Sequence, residues 1–346
     1  METILIFRIG SIGDTVVALP CFHLIARAFP DKRRIVIADI ASASQKAAGV
    51  ETVLGGSGLI DGVINFPPPT RRLRDFVRLA GEIRRSGADT MIYVADRDLL
   101  RTLRDVSFFR LCGIRKVIGA PLAHDLRRYR IDPVTGDAEM ESKRLLRCLA
   151  ELGTIDADDP SSWDLRLQPQ EIHRAKQALA PLEGRPFLAI NVGGKVARKD
   201  WGDDNWESLL RCLAGGYRYL GLVFIGSADE FNRHEKLRIA WPGASLNLCG
   251  RLAPRESAAA MREARLFIGH DSGPMHLAAA VGVPCVSMFG DFNVPRTWYP
   301  HGRGHRILHD MRGVRSISPL QVYDAVGGAL DKQDRMSVAR RAEQSA

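Results

Sequence analysis

The sequence predicts an α/β protein of two Rossmann-like domains, each built on a parallel sheet. Three observations predict it. Short apolar runs of strand length alternate with longer segments at helical spacing along most of the chain. The alternation restarts after a polar stretch at 153–170, GTIDADDPSSWDLRLQPQ, rich in Asp, Pro and Ser. Glycine-bearing turns follow several of the strands, where such sheets keep their ligands. At 346 residues the chain is also long for a single core. The expected domains are 1–170 and 171–330, and the polar tail 331–346 is expected to be disordered.

The first half opens with a strand over 3–7 and a helix over 15–29 whose apolar residues recur at helical spacing. A strand is expected at 34–38 and a short one at 63–66, followed by the Pro67-Pro68-Pro69 loop. Residues 73–85 read as an amphipathic, basic helix, 90–94 and 117–118 as strands, and 142–152 as a helix. After the polar stretch come a helix over 171–179 and a strand over 187–191. A helix over 206–214, a strand over 221–225, helices over 231–240 and 255–264 and a strand over 266–268 follow. Such alternation means parallel strands with right-handed crossovers.

Apolar residues at 45% and charged residues at 26% describe a soluble globular chain. No apolar run reaches the ~18 residues that span a bilayer. METILIFRIG lacks the basic and long apolar regions of a secretory signal and reads as a first strand. The six cysteines lie in apolar surroundings with no C-x-x-C pair and no metal spacing, so they read as reduced thiols of a cytoplasmic protein. The net charge of +9 suits nucleic acid, an anionic membrane or an anionic substrate. No helix-turn-helix, zinc-finger or RNA-binding signature accompanies it, which sets nucleic acid aside. Basic residues concentrate between 71 and 130, most of them as solvated helix faces.

Four loci could carry chemistry, and each follows a strand. The first is Arg8-Ile9-Gly10-Ser11-Ile12-Gly13-Asp14, which is neither G-x-G-x-x-G nor a P-loop. Asp14 could be a general base, with Ser11 and Gly13 in its loop. Ser11 and Asp14 also have the S-x-x-[DE] spacing of a capping box, and spacing alone favours the cap. The second is 191–201, where Gly193 and Gly194 permit close approach to a ligand and Lys195, Arg198 and Lys199 bring positive charge. An exposed basic loop is the equal alternative. The third is Gly226-Ser-Ala-Asp229-Glu230, where Asp229 could bind ribose hydroxyls or cap the next helix. The fourth, GHDSGPMHLAAAVGVPCVSMFG at 269–290, reads as a loop, a small-residue helix, a Gly282–Pro284 stop and a buried strand. Asp271 and Ser272 could cap that helix, and Gly273 opens its N-terminus, whose free N–H groups and dipole favour phosphate.

These residues resemble glycosyltransferase family 9, the heptosyltransferases of bacterial lipopolysaccharide synthesis, from the first strand to about Pro300. Ile4 to Asp14 is similar to the family's opening strand and S-x-G-D turn. Lys199-Asp-Trp201 followed by Trp206 is similar to its K-x-W segment. Asp271-Ser-Gly-Pro-Met-His276-Leu-Ala-Ala-Ala is similar to its D-[ST]-G-x-x-H-x-x-A-A block. The resemblance implies a GT-B fold whose two sheets face an interdomain cleft, with the acceptor in the first domain and the nucleotide-sugar in the second. It implies inverting transfer without metal or cofactor, most often from ADP-heptose, to a lipopolysaccharide-core or related glycan. The family base falls on Asp14 and the diphosphate-binding lysine on Lys199, both with catalytic roles. Asp271, Ser272 and Gly273 fall in the block that meets phosphate and sugar, and His276 either joins them or braces the loop. Asn191-Val-Gly-Gly departs from the small hydroxyl residues often found near the diphosphate.

The reading implies an anionic glycolipid or oligosaccharide acceptor and a cytoplasmic protein peripheral to the inner membrane. Acceptor contacts are expected among Arg97, Arg101, Arg104, Arg127 and Arg128, beyond a strand end of the basic first domain. Two rivals stand beside it. One is a nonenzymatic nucleotide-sugar-binding protein on the same scaffold. The other is an NAD-dependent oxidoreductase, resting on Asp39 at the end of the second strand and opposed by the missing glycine fingerprint.

Overall fold

The structure is a computed structural model and describes residues 2–39, 49–67, 72–194 and 196–344. The chain divides into two compact units. One comprises Met1–Gln168 with Pro295–Trp298, the other Pro169–Val294 with Tyr299–Ala346.

The first unit holds five strands: β1 (Thr3–Phe7), β2 (Arg33–Asp39), β3 (Gly62–Phe66), β4 (Thr90–Tyr93) and β5 (Lys116–Ile118). They form one parallel sheet in the order β3-β2-β1-β4-β5, with Phe7 opposite Ile37 on one side and Tyr93 on the other. Its helices are α1 (Ile12–Val17), α2 (Leu19–Ala28), α3 (Val50–Leu54), α4 (Leu73–Arg85), α5 (Leu99–Leu111), α6 (His124–Arg127) and α7 (Glu141–Cys148). Ile4 to Phe7 are fully buried, as a strand covered on both faces requires. One core joins Leu5, Phe7 and Ile37 to Leu79 and Ile83 of α4 and Phe109 of α5.

The second unit holds six strands: β6 (Phe187–Asn191), β7 (Gly221–Phe224), β8 (Ser245–Asn247), β9 (Leu266–His270), β10 (Cys285–Phe289) and β11 (Arg306–His309). They run parallel in the order β11-β10-β9-β6-β7-β8, with Leu188 opposite both Leu222 and Leu266. Around them lie α8 (Pro169–Leu179), α9 (Asp203–Tyr217), α10 (Phe231–Arg238), α11 (Pro254–Met261), α12 (Gly273–Ala280) and α13 (Pro319–Gln344). The two buried indoles Trp201 and Trp206 meet edge to face at 5.1 Å within this core.

Strand order places the ligand-binding ends. From β1 the chain winds outward through β2 and β3, then returns to β1's other side for β4 and β5. The reversal falls at the carboxyl ends of β1 and β4. In the second unit it falls at those of β6 and β9.

Several expectations need correction. The helix expected over 15–29 is two helices that meet at Ala18, with Pro20 in the first turn of α2, where its missing N–H costs nothing. Helix α5 falls where no element was expected, because apolar residues on both its faces hide the amphipathic signal. The tail expected to be disordered continues α13 as far as Gln344, since its Ala, Arg, Gln and Glu are strong helix formers. All six cysteines are free, but Cys212 is exposed on α9 rather than set in apolar surroundings.

Candidate functional site

In the first unit the turn after β1 is built around Asp14. Buried Arg8 donates from Nη1 to the Val94 carbonyl at 2.9 Å and from Nη2 to the Asp14 carbonyl, which ties the turn to the end of β4. Gly10 sits at φ +130°, and a Cβ there would lie 2.7 Å from Cβ and Cγ of Asp14. Only glycine fits both constraints. Its N–H donates to Asp39 Oδ2 at 3.1 Å, so Asp39, the rival ribose-binding acid, braces this turn.

Ser11 is the N-cap of α1, and buried Gly13 is its second residue. The Ser11 N–H and hydroxyl both donate to Asp14 Oδ2 at 2.7 Å. Among the described residues no hydrogen bond reaches Oδ1. The capping and base readings therefore fall on different oxygens of one half-buried carboxylate.

The structure separates the five arginines. Arg97 and Arg104 both pair with the buried carboxylate of Asp105, at 3.3 and 2.8 Å, and Tyr93 Oη donates to it as well. Arg97 also lies over the rings of Phe7 and Phe66. Arg101 pairs with Asp98, one turn back on α5. Arg127 donates to the carbonyls of Pro121 and Leu122, and exposed Arg128 is held through its own carbonyl by Arg147. Arg97 is thus a structural cation, while Arg101 and Arg128 face solvent.

In the second unit the site forms where β6 and β9 end. Lys199 closes a short 3-10 turn, Ala197–Lys199, that its neighbours fix in place. Trp201 is fully buried and donates from Nε1 to the Ile317 carbonyl at 2.8 Å. Asp200 accepts a two-pronged pair from Arg233, at 2.8 and 2.9 Å. Burial works to raise the Asp200 carboxyl, but Arg233 and the Gly202 N–H outweigh it and hold it below its usual value.

So anchored, Lys199 Nζ pairs with buried Asp271 and stands 4.3 Å from the centre of the Phe292 ring. Asp271 also accepts from Asn293 Nδ2, and His276 Nε2 lies 3.7 Å from its Oδ1. Burial raises this carboxyl too, but His276 and Lys199 prevail and leave it below its ordinary range.

Ser272 occupies the N-cap of α12, yet its hydroxyl does not cap. It donates to Asn191 Oδ1 at 3.1 Å, and Asn191 Nδ2 donates to the Ile225 carbonyl. Asp271 is held by its own partners. Neither side chain covers the first N–H groups of α12, which begins at Gly273.

Three expectations change here. A Cβ on Gly193 would lie 1.8 Å from Glu230 Oε1, so its openness serves buried Glu230 rather than a ligand. A Cβ on Gly194 would lie 3.2 Å from the ring of fully buried His270, which hydrogen-bonds the Val192 carbonyl through Nε2. Asp229 accepts from the Ser227 hydroxyl, while Glu230 takes the capping role through the Ser227 N–H. Lys195 lies outside the described residues.

Sequence reasoning missed the segment just beyond β10. Asp291 pairs with Arg198, Phe292 faces Lys199 and Asn293 holds Asp271. Its only signal was position, directly after a strand at the carboxyl edge of the sheet. Among the described residues no three His, Cys, Asp or Glu side chains are grouped to hold a metal ion. No helix among them is long and apolar enough to cross a membrane.

Comparison with known proteins places this geometry. The sequence model of a family described as glycosyltransferase family 9 (heptosyltransferase) matches residues 121–311, more than half of the chain. Lipopolysaccharide heptosyltransferase 3 of Escherichia coli is 49% identical over 235 residues, covering 64% of this chain and 65% of that protein. The match therefore spans just under two thirds of that relative's length. Among solved structures, a family 9 glycosyltransferase from Veillonella parvula superposes with a TM-score of 0.73 at 18% identity, over 96% of this chain and 98% of that one. The E. coli ADP-heptose lipopolysaccharide heptosyltransferase II gives 0.70 at 15% identity, over 96% and 100%. The fold is the GT-B arrangement of two parallel-sheet domains, as the sequence led one to expect.

Proposed function

The chain belongs to glycosyltransferase family 9, and from that premise we propose that it is an inverting, metal-independent heptosyltransferase. Its donor is ADP-heptose and its acceptor an anionic lipopolysaccharide-core glycan, met from the cytoplasmic side of the inner membrane. The observation that carries the reading is Lys199, anchored by Trp201 and the Asp200–Arg233 pair beside the uncapped N-terminus of α12.

Asp271 and Phe292 fix the Lys199 ammonium without exhausting its three donors. Lys199 and the amides that open α12 near Ser272 and Gly273 then neutralise the departing diphosphate. That is the work a metal ion does in other sugar transferases. Asp14 takes the proton of the acceptor hydroxyl through Oδ1 while Ser11 holds Oδ2. The acceptor oxygen attacks the anomeric carbon from the face opposite the leaving group, so the new bond has inverted configuration and ADP departs. Arg101 and Arg128, exposed on the first unit, supply charge for the acceptor.

A donor screen tests the proposal. ADP-heptose should raise the thermal midpoint more than GDP- or UDP-sugars, because a ligand of the native state stabilises it. It should also be turned over only when a core oligosaccharide is present. Equal stabilisation by all three nucleotide classes, or binding without turnover across a panel of acceptors, would replace this reading with that of a sugar-nucleotide binder.

A further inference from the structure

Helices α4 and α5 lie side by side on the first unit, joined by an edge-to-face contact of Phe76 with Phe108 and by Arg84, which donates to the Leu111 carbonyl. Their inner stripes are buried, Leu79 and Ile83 on one and Thr102, Asp105 and Phe109 on the other. Their outer surfaces carry exposed arginines, but large apolar side chains are exposed among them. Leu73 is 81% exposed, Val77 65%, Leu100 80% and Leu111 77%, with Leu103 at 45%. Spacing sets Leu73 and Val77 on one stripe of α4, and Leu100, Leu103 and Leu111 along the outer side of α5. Scattered exposed leucines are ordinary, but five on two adjoining helices form a patch.

The charges around the patch are one-sided. Helix α4 carries Arg74, Arg78, Arg84 and Arg85 against Asp75 and Glu82. Helix α5 adds three arginines; its Asp105 is turned inward and paired, and its N-cap Asp98 is paired with Arg101. An exposed apolar strip rimmed by guanidinium groups, on a chain with no helix among the described residues long and apolar enough to cross a membrane, has the makeup of a surface that lies in a membrane interface.

We propose that the outer face of α4 and α5 docks on an anionic membrane, with Leu73, Val77, Leu100 and Leu111 entering the headgroup boundary and the α4 arginines meeting lipid phosphate. Helix α5 starts from the carboxyl end of β4, the same edge of the sheet that bears Asp14. Docking on this face would hold that edge near the lipid surface, where the saccharide of a glycolipid begins. The docking stands on the surface alone; its use in presenting an acceptor rests on the glycosyltransferase reading.

Co-sedimentation of the full chain with vesicles tests it, using phosphatidylglycerol mixed with phosphatidylcholine against phosphatidylcholine alone. The chain should bind the anionic vesicles and leave them as salt rises. Leu73→Gln with Leu100→Gln should lower partitioning about 10-fold, from lost apolar insertion. Arg74→Gln, Arg78→Gln and Arg85→Gln together should lower it about 100-fold, at roughly five-fold per arginine. Both variants should keep the wild-type thermal midpoint and wild-type turnover of a water-soluble acceptor, and lose turnover of a vesicle-embedded one. Failure to bind anionic vesicles at low salt, or wild-type binding by both variants, would overturn the docking. So would a dimer of the wild type that the leucine variant dissociates while vesicle binding is unchanged, since the patch would then join two copies of the chain. Vesicle binding without any sugar transfer would leave the docking standing and remove the glycosyltransferase reading instead.

Discussion

Lys199 and Asp271 form a largely buried ion pair that links the turn after β6 to the end of β9, and the Phe292 ring lies against the lysine. The pair keeps a cation ready at the N-terminus of α12 before any ligand arrives. Lys199→Ala should weaken ADP binding about 10-fold or more, because a charge-assisted contact is lost. Arg198→Ala, at an exposed cation paired with Asp291, should weaken it less. Calorimetry that finds equal ADP affinity in wild type and Lys199→Ala would take Lys199 out of the donor site.

The same substitution should alter acid stability. The Asp271 carboxyl lies below its ordinary value in the folded chain. The stability it contributes is present above the unfolded value, about 3.9, and is lost as pH falls through the folded one. Lys199→Ala removes one of the groups that hold the carboxyl down. The acid-unfolding midpoint should therefore move to higher pH, with a cost near neutrality of about 2 kcal/mol, less than for an isolated buried pair because Asn293 and His276 remain. Unchanged acid unfolding would mean that Asp271 draws its stabilisation from those two alone.

Asp14 offers separable roles for its two oxygens. Asp14→Asn can keep an acceptor for Ser11 while losing the base, so kcat should fall roughly 10²-fold or more with ADP affinity nearly unchanged. Ser11→Ala should be milder in kcat and cost about 1 kcal/mol of stability as the N-cap is lost. Near-wild-type turnover in a folded Asp14→Asn protein would leave Asp14 with the cap only.

Gly193 tests whether the glycines at the end of β6 serve the fold or a ligand. With Glu230 Oε1 1.8 Å from the added methyl, Gly193→Ala should destabilise by about 2 kcal/mol, and removing the carboxylate in Gly193→Ala/Glu230→Ala should recover part of that loss. Additive effects in urea denaturation would contradict the clash.

Much of the fold was legible because buried parallel strands are short apolar runs: β1, β6 and β10 coincide with the runs read at 3–7, 187–191 and 285–289. What escaped has physical causes. Strands β8 (Ser-Leu-Asn) and β11 (Arg-Ile-Leu-His) lie at the two edges of the sheet and lack the apolar run of a strand covered on both faces. Lys199 and Asp271, read from two separate motifs, meet in one ion pair, and Ser11 and Asp14 make the contact that their capping-box spacing suggested. The candidate site was not legible where a role depends on a partner distant in sequence. Nothing local links Gly193 to Glu230, Ser272 to Asn191, or Asn293 to Asp271. Arg97 and Arg104 read as acceptor cations until Asp105 is seen between them.

The exposed arginines remain a test of the acceptor side. Arg101→Ala should raise the acceptor KM and flatten its salt dependence, leaving ADP affinity alone, because surface charge attracts an anionic glycan over about a Debye length, ~8 Å at 0.15 M salt. An unchanged acceptor KM would move the acceptor away from the N-terminal half of α5.

Transfer itself is the most direct test. The full chain is given ADP-heptose and a core oligosaccharide in EDTA, and ADP release is followed together with the anomeric configuration of the product by NMR. The expected result is acceptor-dependent ADP release that survives the chelator, a product of inverted configuration, and loss of both with Asp14→Asn. Retained configuration, or activity abolished by EDTA and restored by Mg²⁺ or Mn²⁺, would contradict it.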